Sequence, residues 1–378
     1  MRVLLISFTY ITRVNQKKLD ELAALPDIEL RVIVPTTWSE TLHPSLPAQI
    51  PNLASYSFVI IPTFLTGRGG RYFYKTLDLT MSEFQPDIIQ IEEGWRGLTT
   101  FQAALYRRIW APRARFVIFS WENMVRPLPW YQFIFQSHNL RYTNHLICGN
   151  RDGIACARGA GYQDSVSVIP QLGIDDNVFC RRDGSELRKK LGFSSNTFVI
   201  GFAARMVPEK GLLHLIEAVA RLDGDWALLL IGSGPDRDFA AQRAHELGIA
   251  NRIQWVGTVP HLELAQYYNA MDVLVSPSIT TDKWKEQYGL VVIQAMNSQV
   301  PVIGSTCGET PHVIGDAGLI FQEGDVITLT AHLQNLQTNP GLRLELGRLG
   351  YERVQANFTF RRIAEQTYHI WKGLMNGF

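Results

Sequence analysis

The sequence predicts an α/β protein made of two doubly wound, Rossmann-like domains. Three observations lead to this prediction: the chain has 378 residues of which 46% are hydrophobic, its apolar runs are short and rich in β-branched residues, and helical patterns lie between those runs. A chain of this length exceeds one ordinary hydrophobic core and suits two domains of roughly 150 to 200 residues. Strands that alternate with helices are typical of parallel sheets with helices on both faces.

The first half of the chain carries the strand signals of one such sheet. Short apolar runs bounded by turn residues predict buried parallel strands at residues 3–8, 30–34, 58–61, 88–91, 116–119, 145–148 and 166–169. Helical patterns lie between several of these runs, at residues 16–25, 98–110 and 152–159. The alternation predicts a first domain over residues 1–175.

The alternation restarts after residues 170–193, a polar stretch rich in turn formers that marks the domain boundary. Further strands are predicted at residues 198–203, 227–231, 253–256, 273–275 and 300–303, with helices at 211–222, 236–247, 262–271 and 289–297. The second domain is expected to span residues 176–360, and a last helix, about 361–378, to pack back on the first. Ligands of parallel sheets bind outside the carboxyl ends of the strands. We therefore expect the active site in a cleft between the two facing domains.

Composition and charge argue against several classes of protein. The formal net charge of +1 argues against nucleic-acid binding by the whole surface. The charge is uneven, because residues 101–151 contain seven arginines and one acid, Glu122, so one face of the first half is expected to be basic. The four cysteines form no CxxC motif and have no histidine at ligand spacing, which argues against a zinc site.

The sequence also predicts where the protein acts. The N-terminal MRVLLISFTY lacks a small-residue cleavage site and is typical of a buried first strand. No apolar run approaches the roughly 18 residues that a membrane span needs. We expect a cytoplasmic protein, with any membrane contact peripheral and at the inner face.

Two segments of the second half combine residues that suit a diphosphate and a sugar. Arg205 and Lys210 lie in the loop between a buried strand and a helix, where fixed positive charge and the helix dipole both favour an anion. Glu286 precedes a Tyr-Gly turn into another helix. If that helix starts near Gly289, the backbone amides of Tyr288, Gly289 and Leu290 are expected at its N-terminus, where they could hold a phosphate. A solvated basic loop and a carboxylate that offsets the helix dipole are the alternative interpretations.

Further motifs in the second half match a known family. From about residue 201 to residue 325, and more weakly over the whole chain, the sequence resembles the retaining glycosyltransferases of family four, which have the two-domain GT-B fold. The matching pieces occur in the family's order and spacing. They are Gly201 with the Arg205 and Lys210 pair, LIGSGP (230–235), WVGTV (255–259), MDVLVSPS (271–278), EQYG (286–289) and VPVI (300–303).

The resemblance implies a role for each matching residue. Arg205 and Lys210 would hold the donor diphosphate and stabilise the charge on the leaving nucleotide, and Glu286 would bind hydroxyls of the donor sugar. These three are the expected catalytic residues. The expected donor-binding residues are Gly232 and Val259 near the nucleobase, the amides of Tyr288, Gly289 and Leu290 at the sugar and β-phosphate, and Gln294 at the ribose.

The reaction that the resemblance implies is a retaining, metal-independent hexosyl transfer. The expected donor substrate is a UDP-hexose, first of all UDP-glucose, and the acceptor a saccharide or lipid-linked saccharide in polysaccharide or glycoconjugate synthesis. No cofactor is implied. The triplet from Asp223 to Asp225 has the DxD spacing that holds a cation in another transferase fold, but it precedes a strand at its amino end and is expected to be a helix-ending turn.

The chain departs from the family at two places. Gln294 stands where the family has a second glutamate, and a neutral amide offers one acceptor oxygen to the ribose. The loop 9–16 contains no glycine, whereas many relatives have a glycine-rich loop there. These departures leave open a nucleotide-sugar-binding scaffold without activity, and a GT-B epimerase or phosphorylase is the alternative among enzymes.

Acceptor recognition is expected from the first domain. The acids Glu92 and Glu93 follow one predicted strand, and Trp121, Glu122 and Asn123 follow the next. Carboxylates suit sugar hydroxyls, and Trp95 or Trp121 could stack on a sugar face; the alternative is that the acids cap the following helices. The aromatic stretch 127–136 is interpreted as a helix that buries Trp130, Phe133 and Ile134, with docking on a membrane as the alternative.

Overall fold

A computed structural model describes residues 1–38, 45–52, 55–65 and 71–377 of the chain. The chain divides into two compact units. The first contains residues 1–173 together with the C-terminal residues from Phe360 on, and the second contains residues 174–359. Phe378, the last residue of the predicted C-terminal helix, lies outside the described residues.

The first unit is built on a seven-stranded parallel sheet. Its strands are β1 (Arg2–Ile6), β2 (Glu29–Pro35), β3 (Thr37–Trp38), β4 (Leu46–Pro47), β5 (Ser57–Ile61), β6 (Thr63–Phe64), β7 (Phe73–Tyr74), β8 (Ile88–Ile91), β9 (Arg115–Ser120), β10 (His145–Cys148) and β11 (Val166–Val168). The order in the large sheet is β11-β10-β9-β8-β1-β2-β5, whereas β3 pairs with β4 and β6 with β7 in short antiparallel ribbons. After β1 the chain adds β2 and β5 on one side of β1 and then returns to place β8 on the other side of β1. This reversal of the strand order forms a crevice at the carboxyl ends of β1 and β8.

Helices cover both faces of this sheet. They are α1 (Arg13–Ala23), α2 (Leu77–Phe84), α3 (Leu98–Trp110), α4 (Trp130–Arg141), α5 (Asp152–Gly159) and the C-terminal helix (Phe360–Asn376). One apolar core lies on each face. The C-terminal helix packs against α1, and the fully buried Trp371 donates from Nε1 to Oε1 of Gln90 at 2.8 Å.

The second unit is a six-stranded parallel sheet with the order β14-β13-β12-β15-β16-β17. Its strands are β12 (Phe198–Ala203), β13 (Trp226–Ile231), β14 (Ile253–Gly257), β15 (Val273–Ser276), β16 (Val302–Ser305) and β17 (Leu319–Phe321). Its helices are α6 (Ser185–Lys190), α7 (Leu212–Val219), α8 (Asp236–Glu246), α9 (Leu264–Asn269), α10 (Leu290–Asn297), α11 (Thr310–Ile314), α12 (Val326–Thr338) and α13 (Pro340–Asn357). The strand order reverses between β12 and β15, which places a second crevice at their carboxyl ends.

The predicted α/β fold with two Rossmann-like sheets is confirmed, and each predicted strand is present within two residues at either end. One local prediction is wrong. The stretch 127–136 does enter helix α4, but Trp130, Phe133 and Ile134 are 76%, 60% and 49% exposed. The residues that α4 buries are Gln136, Asn139 and Leu140, further along the helix, where Asn139 donates to the carbonyls of Trp95 and Gly97.

Within the described ranges, every helix is too short or too polar to cross a lipid bilayer.

Candidate active site

A recess of about 310 Å³ opens at the carboxyl edge of the second sheet, where the strand order reverses. The loops that leave β12 and β15 and the start of α10 form its walls. Both sequence segments that were predicted to bind the donor therefore meet in one place. Predicted site residues in the lining are Arg205, Lys210, Glu286, Gly289 and Leu290, and they are joined by Ser278 and Trp284.

A charged pair lies in this recess. The Lys210 Nζ is 2.6 Å from Oε2 of Glu286, and the two side chains are only 18% and 11% exposed. The same carboxylate oxygen accepts from Oγ of Ser278 at 3.2 Å. Lys210 also stands over the ring of Trp284, 4.4 Å from its centroid. The lysine and the glutamate thus form an ion pair at the point where the sequence predicts that a diphosphate and a sugar bind side by side.

Glycines allow the backbone segments around this pair to approach closely. Gly211 has a φ of +68°, and a Cβ there would lie 1.9 Å from the Pro277 carbonyl oxygen. Gly308 has a φ of +56°, and its Cβ would lie 2.1 Å from the Glu286 carbonyl oxygen. Residues with a side chain rarely adopt such φ angles. Glycine at these two positions therefore allows the loops that carry Lys210 and Glu286 to pack closely against the neighbouring backbone.

The N-terminus of α10 completes the recess. Gly289 precedes the helix in the left-handed region, with a φ of +83°, and no side chain caps the helix there. The first amides of a helix have no partner within the helix, and the dipole makes that end positive. Gly289 and Leu290 line the recess, whereas the side chain of Tyr288 is buried. An anion in the recess would meet this positive end together with Lys210.

Gln294 lies further along α10 and is 1% exposed. Its Oε1 accepts a hydrogen bond from the buried hydroxyl of Tyr268 at 2.9 Å. The single carbonyl oxygen of this side chain is therefore already bonded inside the protein. Its expected role as a ribose ligand stays a prediction.

The expected nucleobase residues belong to two loops that contact each other. Gly232 has a φ of +124°, and a Cβ there would lie 2.0 Å from the carbonyl oxygen of Ala204, so this turn lies directly against the loop after β12. Oγ of Ser233 is 2.9 Å from Oγ1 of Thr258, the residue before Val259. The structure thus brings Gly232 and Val259 to the same edge of the sheet as Arg205.

A larger cavity of about 850 Å³ lies elsewhere in the second unit. It surrounds residues at the amino ends of the strands, including Asp272 before β15, which bonds Arg188 at 2.6 Å. Size alone would favour this cavity, but ligands of parallel sheets bind at the carboxyl ends, so we assign the smaller recess as the site. Asp225, the last residue of the DxD triplet, also precedes a strand and accepts from Oγ1 of Thr197 at 2.9 Å.

In the first unit, Glu92 occupies a buried network. Its carboxylate is 3.0 Å from Nζ of Lys18, which is itself 2% exposed, and it accepts from the Tyr10 hydroxyl at 2.7 Å. Amides of Gln90 and Gln171 donate to it at 2.8 and 2.9 Å. These four donors satisfy the carboxylate within the protein, so in this structure Glu92 orients its neighbours.

Glu93 is the neighbouring acid and accepts from the Phe8 amide at 2.9 Å. Burial raises the pKa of its carboxyl to about 8; interaction with the Tyr72 hydroxyl and the bond from Phe8 oppose the rise, and the charge of Glu92 adds a smaller contribution to it. Glu93 therefore keeps its proton at neutral pH. A neutral carboxylic acid donates as well as accepts hydrogen bonds.

The second acceptor-side cluster follows β9. Trp121 donates from Nε1 to Oε1 of Gln171 at 2.8 Å. Glu122 is 3.0 Å from Nη1 of Arg96; burial raises the pKa of this carboxyl, and the nearby arginines oppose the rise. Asn123 is buried. The expectation that Trp95 stacks on a sugar is wrong, because its side chain is fully buried in the core under the sheet.

A second recess, of about 380 Å³, lies at the carboxyl end of β1 in the first unit. Three aromatic side chains line it: Phe8, Trp38 and Trp121, with Phe8 and Trp38 stacked at 4.1 Å between centroids. Gln171 links this recess to Glu92, since its Nε2 also donates to Oγ1 of Thr9 at 2.8 Å. Aromatic faces beside polar groups suit a small polar ligand with an apolar face.

Sequence reasoning missed Trp284 and the Phe8–Trp38 pair. A signal for Trp284 was present, because residues two apart in extended chain share a face and Trp284 lies two residues before Glu286. Phe8 and Trp38 are thirty positions apart in sequence, and only the pairing of β1 with β2 brings their segments together.

The two Rossmann-like units have the architecture of the GT-B fold, and comparisons with known proteins show the same fold. Residues 183–353 match the family of glycosyl transferases group 1. Solved structures of the same fold include sucrose-phosphate synthase from Thermosynechococcus elongatus (TM-score 0.72, 19% identity, 100% of this chain and 99% of that one). Another is the Anabaena protein HepE in complex with UDP (TM-score 0.75, 17% identity, 98% and 99%).

Curated relatives are similar over part of their length. A GDP-mannose-dependent monoacylated alpha-(1-6)-phosphatidylinositol monomannoside mannosyltransferase from Corynebacterium glutamicum is 30% identical over 194 residues, 50% of each chain. An N-acetyl-alpha-D-glucosaminyl L-malate synthase from Bacillus anthracis is 27% identical over 202 residues, 52% of this chain and 51% of that one. The matched segment spans about half the length of these relatives.

Proposed function

We propose that this protein is a retaining glycosyltransferase of family four that moves a hexose from a nucleotide-diphosphate donor to a saccharide or lipid-linked saccharide acceptor. The observation that carries the proposal is the meeting of Lys210, Glu286 and the N-terminus of α10 in one recess. The Lys210 ammonium and the helix N-terminus both suit a diphosphate, and the Glu286 carboxylate beside them suits the hydroxyls of the attached sugar.

The geometry supports a division of work in the donor site. Arg205 and Lys210 hold the diphosphate and stabilise the negative charge that appears on the leaving nucleotide, with no metal ion required for that charge. Glu286 accepts hydrogen bonds from the sugar. In the unliganded structure Lys210 and Glu286 bind each other, so each must turn toward a different part of the incoming donor.

The donor is a UDP-hexose, with UDP-glucose first. The match to a fold-sharing protein solved with UDP and with UDP-glucose supports this choice. GDP-mannose is the second candidate, because one of the similar mannosyltransferases is GDP-mannose-dependent. The nucleotide-sugar is a substrate, and the reaction needs no cofactor.

A survey of donors tests the proposal. The purified full chain is incubated with UDP-glucose, UDP-galactose, UDP-N-acetylglucosamine and GDP-mannose, and released nucleotide is measured with and without saccharide acceptors. We expect release from a UDP-hexose, with the α-anomeric configuration of the donor kept in the product. Tight UDP binding without release from any donor would favour the inactive scaffold, and a changed sugar still attached to UDP would favour an epimerase.

The acceptor binds in the first unit, in the recess of Phe8, Trp38 and Trp121. Aromatic rings stack on the apolar face of a pyranose, and Glu93 offers a neutral carboxyl nearby. On this assignment Glu92 acts indirectly, through Gln171 and Trp121. Glu122 and Asn123 come directly after Trp121 in the loop that follows β9.

Peripheral binding to the inner face of a membrane would bring the protein to a lipid-linked acceptor. Helix α4 exposes Trp130, Phe133 and Ile134, and Val125 before it is 76% exposed. These side chains and Arg126 line a shallow groove, in the segment with the large excess of arginine. Exposed apolar residues flanked by cations suit the interface of an anionic bilayer.

Flotation with vesicles tests this second part. Vesicles of phosphatidylcholine with and without phosphatidylglycerol are mixed with the wild-type protein, the Trp130→Ser/Phe133→Ser variant and the matched control Phe239→Ser, whose side chain is 67% exposed in the second unit. We expect salt-sensitive binding to anionic vesicles that the double variant loses and the control keeps. Equal flotation of all three proteins, or none, would contradict the docking surface.

A further inference from the structure

The side chain of Lys210 lies between an anion and an aromatic ring. Its Nζ is 2.6 Å from Glu286 on one side and 4.4 Å from the centroid of the Trp284 ring on the other. An indole face attracts a cation more strongly than any other aromatic side chain does, and the attraction grows when the pair is shielded from water. Both Lys210 and Trp284 line the donor recess.

The two segments that carry these side chains are fixed to each other through their backbones. The amide of Ile279 donates to the Glu209 carbonyl at 2.9 Å. Gly211 touches the Pro277 carbonyl so closely that a Cβ would lie 1.9 Å from it. The backbone around Lys210 is therefore fixed, before any ligand binds, to the start of the loop that carries Trp284.

The loop that presents Trp284 is itself a tight turn. The amide of Thr281 donates to the Trp284 carbonyl at 2.8 Å, and the amide of Trp284 donates to Oγ1 of Thr281 at 3.0 Å. These bonds fix the backbone of Trp284, whose side chain lines the recess. A loosely held tryptophan would pay conformational entropy to meet the lysine, whereas this one is already in place.

We propose that Trp284 is a positioning residue that holds the Lys210 ammonium in the recess when the donor takes Glu286 away from it. The inference rests on the proposed function, since it needs a diphosphate to attract the lysine and a sugar to attract the glutamate. Lysine has a flexible four-carbon stem and three donors. Without Glu286 as a partner the stem would swing into solvent, and the indole face prevents this without competing for the hydrogen bonds that the phosphates need.

A double-mutant cycle tests the proposal. Trp284→Leu removes the aromatic face but keeps an apolar side chain, Trp284→Phe keeps an aromatic face, and both are made in the wild-type and Lys210→Ala backgrounds. UDP-glucose affinity is measured by calorimetry and hexose transfer by nucleotide release. We expect Trp284→Leu to weaken UDP-glucose binding roughly 3- to 30-fold, the range of one cation–π contact, with transfer reduced at least as much.

The control variants decide between a positioning role and a structural one. Trp284→Phe should keep the affinity for the donor within about threefold of wild type. In the Lys210→Ala background, Trp284→Leu should cause no further loss of affinity. A loss of the same size without Lys210, or no rescue by phenylalanine, would overturn the proposal. Absence of UDP binding in the wild-type protein would instead overturn the proposed function, so the two failures are distinguishable.

Discussion

Replacing Glu286 by glutamine should separate nucleotide binding from sugar transfer. In the unliganded structure the carboxylate lies 2.6 Å from the Lys210 ammonium, and its side chain is 11% exposed. A diphosphate must therefore compete with an anion that is already in place. Glutamine keeps the shape of the side chain and an acceptor oxygen but removes the charge.

The size of the effect follows from this geometry. A hydrogen bond that involves a charged group contributes about 1.5 to 3 kcal/mol, and part of this remains with the neutral amide. A gain of roughly 1 to 2 kcal/mol in UDP binding corresponds to a 5- to 30-fold lower Kd. UDP carries no sugar, so it does not lose the carboxylate contact. Transfer from UDP-glucose should fall roughly 10- to 100-fold, because the charged bond to the sugar hydroxyls is lost.

Calorimetry with UDP and nucleotide-release assays with UDP-glucose measure the two effects on the same samples. Glu246→Gln is the matched control, since this acid is 47% exposed and pairs with Arg243 on the surface of the same unit. The control should behave as wild type in both assays. Weaker UDP binding by a correctly folded Glu286→Gln protein would refute the idea that the carboxylate competes with the diphosphate.

Three further predictions concern single residues. Lys210→Ala should lower turnover about 100-fold, since one contact to a developing charge contributes about 3 kcal/mol, whereas Lys190→Ala on the exposed end of α6 should not; near-normal turnover would remove Lys210 from the site. Gly308→Ala should lower the free energy of unfolding by more than the about 1 to 2 kcal/mol of a left-handed alanine and weaken UDP binding, because its Cβ meets the Glu286 carbonyl. Gly248→Ala, with a φ of +71° and no atom within 4 Å of the added Cβ, is the control that carries only the backbone cost; equal losses in both would contradict the clash. Glu93→Gln should change how stability depends on pH. The pKa of the Glu93 carboxyl is about 8 in the native state and near its ordinary value of 4.5 in the unfolded chain, so the stability of the wild-type protein falls as pH rises between these values. The Tm of Glu93→Gln minus the Tm of the wild type should therefore increase from pH 5 to pH 8, and a constant difference would mean that Glu93 is ionised in the native state.

The sequence predicted the strands and their division between two sheets well, because buried parallel strands are short, apolar and bounded by turns. It predicted the donor segments because Arg205, Lys210 and Glu286 lie in compact local motifs. Their meeting in one recess required the strand reversal between β12 and β15, which no local pattern contains.

The prediction for α4 was wrong for a physical reason. Aromatic residues at helical spacing are normally buried, but here a polar residue, Asn139, anchors the helix by bonds to the carbonyls of Trp95 and Gly97. The apolar side chains near the start of α4 remain in solvent. Glu92 likewise looked like a free carboxylate after a strand, because its partner Lys18 is 74 positions away in sequence.

The most direct test of the donor site is a crystal structure of the protein in complex with UDP. We predict UDP at the carboxyl edge of the second sheet, with a β-phosphate oxygen within about 3 Å of the Lys210 Nζ and of an amide at the start of α10. Lys210 should then have turned from Glu286 toward the phosphate. UDP bound elsewhere, with Lys210 still paired with Glu286, would contradict the account.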